Sequence, residues 1–280
     1  MPIRFAYLLL YAAFPLRLAL GMAQADCATP AFVTSDANGG WSNGGYYVHN
    51  NMWNSQVTLG PETLTACSYR DWYVVSNQTN EAGAVKTYPN VHKDYDKTPI
   101  SSLHYLTSSF AAATPHVGIY DVAYDIWLNG VATSGSNEIM IWTENYKQVP
   151  AGTKTDTVTL GGFAFNVWKT KDNSYIAFVP TSVLTSGTID LLALFTWLMG
   201  KGWLPSNSAL GQICYGVEIV STNGAEAKFT FSDFSINTQP NGIVRKSPAK
   251  AAKTPAAYGY YTLTGKRLHR PRPPEFITPN

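Results

Sequence analysis

Glycine-bearing turn signals recur along this chain, and they limit what it can fold into more than any other feature. Gly39-Gly40, Gly44-Gly45, Asn129-Gly130, Gly161-Gly162 and Asn223-Gly224 separate short runs in which apolar and polar residues alternate. Side chains on a strand point to opposite faces in turn, so such runs read as strands with one face turned to a core. The pattern predicts strands at 46–49, 71–75, 117–128, 138–144, 163–169, 175–179, 214–221 and 227–238. Many short strands between turn signals make an all-β fold of two packed sheets, a sandwich or jelly roll. With 280 residues, 45% hydrophobic and only 14% charged, the chain can fill the core such a fold needs. One stretch departs from the pattern. Ile189, Leu192, Phe195, Trp197 and Met199 lie in a run over 188–201 that lacks proline. It predicts a single helix capped by Thr188 or Ser186, ended by Gly200, Gly202 and Pro205, and laid over the outer face of a curved sheet.

The two ends differ from the body. Arg4, the apolar stretch 5–14 and the small-x-small triplet Ala23-Gln24-Ala25 together have the form of a secretory signal. Arg17 interrupts the second apolar stretch, so no uncharged run reaches the roughly 20 residues that span a bilayer. The expectation is a signal peptide over 1–25, no membrane anchor, and a secreted, extracellular protein beginning at Asp26. Residues 26–239 carry 10 Lys+Arg against 17 Asp+Glu, a net charge of −7 that argues against nucleic acid as a partner. Residues 240–280 carry 8 Lys+Arg and one Glu amid proline and alanine, and are expected to be a basic, disordered tail. In an oxidising compartment the two early cysteines, Cys27 and Cys67, are the expected pair, leaving Cys214 as a lone, inert thiol.

Several chemistries find no footing. The chain has no G-x-S-x-G and no G-x-x-x-x-G-K-[ST], and its five histidines lack metal-ligand spacing. No cofactor and no metal are expected. What stands out is one glutamate in each of two strand cores: Glu138 in NEIMIW and Glu218 in YGVEIV. Period two puts Glu138, Met140 and Trp142 on one face, and Gly216 and Glu218 on one face of their own strand. Apolar neighbours raise a carboxyl's pKa by desolvation, and a pair of such carboxyls is what cleavage of a glycosidic bond requires. In YDVAYDIWL, Asp121, Ala123, Asp125 and Trp127 share a face, and a hairpin through 129–136 would bring Asp125 beside Glu138. Eight tryptophans in a weakly charged chain suit sugar stacking, and they suit an aromatic β core equally.

The segments 46–53 (YYVHNNMW), 120–128 (YDVAYDIWL), 138–142 (EIMIW) and 216–218 (GVE) resemble, in order and spacing, those of glycoside hydrolase family 12. The resemblance runs from about residue 27 to 238 and is to the bacterial-type endoglucanases. It implies a concanavalin-like β-jelly roll and a secreted, monomeric endo-β-1,4-glucanase. Such an enzyme cleaves soluble cellulose and related β-glucans with retention of configuration. It further implies Glu138 as nucleophile, Glu218 as general acid/base, and Asp125 as the acid that hydrogen-bonds the nucleophile. Trp53 would stack a glucose ring, with Asn51 on the same strand face, and Met140 and Trp142 would line the cleft. The disulfide falls on Cys27 and Cys67. Gly216 is read as leaving room for a sugar ring. Two alternatives accompany this reading. One is a preference for xyloglucan or mixed-linkage β-glucan within the same fold. The other is a non-catalytic polysaccharide-binding jelly roll, which would need the tryptophans but not two carboxylates on one face.

Overall fold

The computed structural model describes residues 27–79 and 83–239, together with two two-residue strands, Tyr260–Tyr261 and Arg267–Leu268, that pair with each other. The expected signal peptide and all but those strands of the expected tail lie outside the described residues. In chain order the strands of the body are β1 (Phe32–Thr34), β2 (Gly40–Asn43), β3 (Tyr46–His49), β4 (Glu62–Ser68) and β5 (Asp71–Ser76). Next come β6 (Asn90–Pro99), β7 (Thr107–Ala113), β8 (Ile119–Leu128), β9 (Asn137–Tyr146) and β10 (Thr153–Leu160). The series ends with β11 (Phe163–Lys169), β12 (Tyr175–Pro180), β13 (Ser186–Asp190), the helix α1 (Leu191–Gly200), β14 (Ala209–Ser221) and β15 (Ala227–Asn237).

These strands form two sheets, as the alternation predicts. One has six strands in the order β1-β4-β5-β15-β7-β13, and the other nine in the order β10-β11-β12-β9-β8-β14-β6-β3-β2. Pairing is antiparallel throughout both sheets except for β12 against β9, which is parallel. The inner faces meet in one apolar core. The large sheet supplies Tyr120, Val122, Tyr124 and Ile126 from β8, Ile139 and Ile141 from β9, and Tyr215, Val217 and Ile219 from β14. The small sheet answers with Leu64, Trp72, Val74, Phe110, Phe229, Phe231 and Phe234. Trp72 and Phe231 stack with ring centroids 4.0 Å apart. A bulge between Phe231 and Asp233 lets both Phe231 and Phe234 face inward despite their odd spacing.

The helix differs from expectation in start, cap and position. Residues 186–190 are β13, paired with β7, because Thr188 and Ile189 find ladder partners in Ser109 and Ser108. Asp190 is the cap: its carboxylate accepts from the Ala193 N–H at 2.9 Å. Gly202, at φ +68°, provides the left-handed residue past the helix end, and its N–H donates to the Met199 carbonyl. Leu191, Leu194, Phe195 and Leu198 belong to the core between the sheets, so the helix packs into the sandwich rather than over an outer face. The Cys27–Cys67 disulfide is present and ties the start of the described chain to β4.

Candidate active site

Strands β8, β9 and β14 lie side by side in the middle of the large sheet, with β8 between the other two. Each is apolar at alternate positions, and these positions face the core. The other positions put Asp121, Ala123, Asp125 and Trp127 on β8 against Glu138, Met140 and Trp142 on β9 and against Gln212, Cys214, Gly216 and Glu218 on β14. This outer face is where the sequence-predicted carboxyls come together. Their register is not the one the hairpin suggested. Glu138 sits opposite Trp127, and Asp125 opposite Met140, so Asp125 reaches Glu138 from a diagonal position. Glu218 sits directly opposite Asp121.

Trp127 and Asp121 are six positions apart on β8. On a flat sheet that is roughly 20 Å along the strand. The side chains nevertheless act on one another: the charges of Asp125 and Glu218 both raise Glu138, and that of Glu138 raises Asp121. Bulges interrupt the β8–β9 ladder at Val122/Ala123 and the β8–β14 ladder at Ile219/Ser221, next to Asp121 and Glu218 respectively, and bulges bend the strands that carry them.

All four carboxyls are held above the ordinary carboxylate range, with burial as the largest cause in each case. Asp121 and Asp125 push Glu218 up further. Asp125 is pushed up to about 7, although the Trp127 indole N–H, donating to its Oδ2 at 2.9 Å, works against that rise. Its other oxygen, Oδ1, is buried and has no hydrogen-bond partner among the described residues. Asp125 therefore accepts its hydrogen bond from Trp127, where the resemblance implied a bond to Glu138. Four desolvated acids with no cation beside them among the described residues resist full ionisation, because each charge raises its neighbours.

Around the acids the face is apolar. Met140, Trp142, Ala123, Ala177 and Val179 form a second, smaller cluster with Tyr175 and Trp168 packed on it. The Tyr175 hydroxyl donates to the Met140 sulfur at 3.3 Å, and the Trp142 indole N–H points at the same sulfur from 3.5 Å. Buried Tyr88 donates its hydroxyl proton to the Ala123 carbonyl at 3.0 Å, bracing β8 from the neighbouring segment. Towards β6 and β3 the face carries His92 and His49, lowered to about 4 and about 3 by burial, so both rings are neutral across the physiological range.

Asn51 and Trp53 do not share a strand face. β3 ends at His49, and Asn51 has φ +44°, which turns the chain out of the extended conformation. The Asn51 amide donates to the Tyr88 carbonyl at 3.2 Å, so it ties this loop to the segment that braces β8. Trp53 is half-buried in the same loop. Gly216 also has a different reason from the one expected. A Cβ there would stand 2.1 Å from the Pro89 carbonyl oxygen, so the missing side chain admits neighbouring backbone, not a ligand. The sequence reading gave no role to Asp121, Trp127, Tyr88 or Tyr175. For Asp121 the signal was available, since it shares the period-two face of Asp125. Tyr175 was obscured because both faces of β12 are apolar.

An all-β sandwich whose larger sheet gathers several desolvated carboxyls on an aromatic outer face has the makings of a glycoside-cleaving protein. The family model for glycosyl hydrolase family 12 matches residues 44–239, and the chain belongs to that family. Among named relatives, the xyloglucan-specific endo-beta-1,4-glucanase 1 of Phytophthora sojae is 30% identical over 208 residues, covering 68% of this chain and 85% of that one. The inactive glycoside hydrolase XLP1 of Phytophthora nicotianae is also 30% identical, over 207 residues, covering 69% of this chain and 86% of that one. Among solved structures, the xyloglucanase domain of NopAA, a type three effector from Sinorhizobium fredii in complex with cellobiose, superposes with a TM-score of 0.66 at 31% identity. It covers 75% of this chain and all of that domain, 100%. The native family 12 xyloglucanase from Bacillus licheniformis, at 23% identity and a TM-score of 0.66, shares the fold.

Proposed function

We propose that this chain is a retaining endo-β-1,4-glucanase in which Glu138 is the nucleophile and Glu218 the general acid/base. The observation that carries the reading is the cluster itself. Four carboxyls, raised first by burial and then by one another, share one face with Trp142, Tyr175 and Met140. Glycosidic cleavage needs one carboxyl protonated and another ionised at the same pH, and a coupled, desolvated group provides both states at once. Glu218, with acids on two sides, keeps its proton and gives it to the leaving oxygen. Glu138 attacks the anomeric carbon, and the glycosyl ester forms as the old C–O bond breaks. Water, deprotonated by Glu218, then releases the sugar and frees Glu138. Asp125 is suited to hold a proton on its partnerless Oδ1 and so to support the ionised form of Glu138.

For the substrate, xyloglucan is the reading to which the similar proteins lend weight, since those at 30–31% identity include a xyloglucan-specific endo-beta-1,4-glucanase and a xyloglucanase domain. Soluble cellulose, the first expectation from sequence, is the second substrate to test. The relative named as inactive makes activity itself worth measuring. Purified protein is assayed on xyloglucan, carboxymethylcellulose and barley β-glucan, with proton NMR of the first product. The reading expects the β-anomer first, and at least 10²-fold loss in Glu138→Gln and in Glu218→Gln. An α-anomer appearing first refutes the double displacement. A variant that keeps a tenth of the wild-type rate refutes that residue's role.

A further inference from the structure

Asp121 is fully buried, at 0% exposure, in the middle of the large sheet. A carboxyl in such a position normally has a cation or several N–H donors to offset the loss of water. Among the described residues Asp121 has neither, and both its oxygens lack a hydrogen-bond partner. Across the ladder on one side is Asn145, whose amide is committed to Gln148: its N–H donates to the Gln148 carbonyl and its oxygen accepts from the Gln148 N–H, both at 2.9 Å. Across the ladder on the other side is Glu218. Two carboxyls that face each other in this way can bond only when one of them carries a proton, and burial raises both of these acids towards their protonated forms. The neighbours on this face are Asp125 on β8, Glu138 on β9, Tyr175 on β12, Cys214 on β14, and Tyr88 just before β6. All are acids or weak acids, and none offers a positive charge. A merely structural position here would be cheaper to fill with an apolar residue, as at Ala123 on the same face.

We propose that Asp121 is a positioning residue for Glu218: the two carboxyls share one proton across the β8–β14 ladder, with Glu218 as donor and Asp121 as its acceptor. This rests on the reading of Glu218 as general acid/base. In the resting site Asp121 fixes the rotamer of the protonated Glu218. When a glycan binds, its glycosidic oxygen replaces Asp121 as acceptor. The proton passes to that oxygen as the glycosidic C–O bond breaks and the bond from Glu138 to the anomeric carbon forms. Two neighbouring buried carboxylates then remain, and their repulsion makes Glu218 a stronger base for the water of the second step. That water's proton restores the shared pair.

Two measurements test this. The first is the pH dependence of kcat/KM on xyloglucan for wild type and Asp121→Asn. Removing the acceptor and its charge frees Glu218 to ionise, so the alkaline limb moves at least one pH unit towards acid. A limb within about 0.3 unit of wild type in a folded variant overturns the proposal. A loss of rate with no shift in the limb reports a structural role and overturns it too. The second needs no activity: difference infrared titration of the protonated-carboxyl band in the resting protein. Asp121→Asn and Glu218→Gln should each remove the same single-proton titration, and the double variant should remove no more. Two separate, additive losses overturn the sharing. Should Asp121→Asn fail to fold, Glu218→Gln decides alone, because an unchanged band in that variant refutes the pair. If the wild type cleaves no glucan, the glucanase reading fails, while the infrared result still decides whether the two acids share a proton.

Discussion

Gly216→Ala tests how the site is built more directly than changing any acid does. Gly216 pairs with Ala123 on β8 and with Asn90 on β6, so it lies between two neighbours in the middle of the large sheet. An added Cβ would stand 2.1 Å from the Pro89 carbonyl oxygen, 2.7 Å from the Asn90 Cα and 2.8 Å from the Asn90 Cβ. Ordinary contact begins near 3.4 Å, so β14 and the Pro89–Asn90 backbone must part by about 1.3 Å. The obstructing oxygen is backbone and accepts the Val217 N–H at 3.2 Å, so it cannot swing away as a side chain would. Forced overpacking of this kind costs about 1–3 kcal/mol. Glu218 is two residues further along and shares the displacement, and an error of about 1 Å in a reacting group costs on the order of 10²-fold in rate. Urea unfolding and kcat on xyloglucan measure both effects. Gly200→Ala is the control: nothing lies within 4 Å of its missing Cβ, and in a helix the change should stabilise by up to about 1 kcal/mol. If Gly216→Ala unfolds within about 0.5 kcal/mol of wild type and keeps full activity, the close-approach reasoning is wrong.

Two further outcomes concern stability. Buried Glu62 is pushed up to about 7 from 4.5 by burial, against the hydrogen bond that the Thr87 hydroxyl donates to its Oε1 at 2.6 Å. A carboxyl raised in the fold contributes stability that is complete below its unfolded pKa and lost as pH rises through the folded value, a swing of about 3 kcal/mol here. Glu62→Gln should therefore gain on wild type by about that amount between pH 4.5 and pH 8 in urea unfolding, and a gap that does not change with pH refutes the assignment. Replacing Cys27 and Cys67 by serine opens a loop with a sequence separation of 40 and should cost about 4 kcal/mol on the chain-entropy account; a loss under about 1 kcal/mol in chemical unfolding would contradict it.

The centre of the fold was legible from sequence because β8, β9 and β14 alternate strictly, with one apolar face for the core. The strands that were not foreseen lack that contrast. β6 carries charge at Lys93, Asp94, Asp96 and Lys97, yet lies between β14 and β3. β10 is an edge strand of threonine, lysine and aspartate with little to bury. β7 is mostly serine and alanine, too small to mark a face. Within the site, period two placed Glu138, Glu218 and Asp125 on a common face but could not give their partners. Partners depend on cross-strand register, and bulges reset the register next to Asp121 and Glu218. For the same reason the Asp121–Glu218 pairing had no local signal. Asn51 and Trp53 were misread as strand because one left-handed residue, invisible in the alternation, turns the chain after β3.

β14 and β15 are the last two strands of the sandwich in sequence, yet each occupies an interior slot. β14 separates β8 from β6 in the large sheet, and β15 separates β5 from β7 in the small one. During synthesis, everything up to residue 208 must therefore wait with both sheets split and four strand edges unsatisfied. Open edges recruit whatever strand is at hand. A ribosome that stops short of these strands releases a chain with neither sheet whole and no Glu218, so early truncation yields an aggregation-prone species rather than a weakened hydrolase. The two final strands act as keystones: neither sheet is continuous until they are in place.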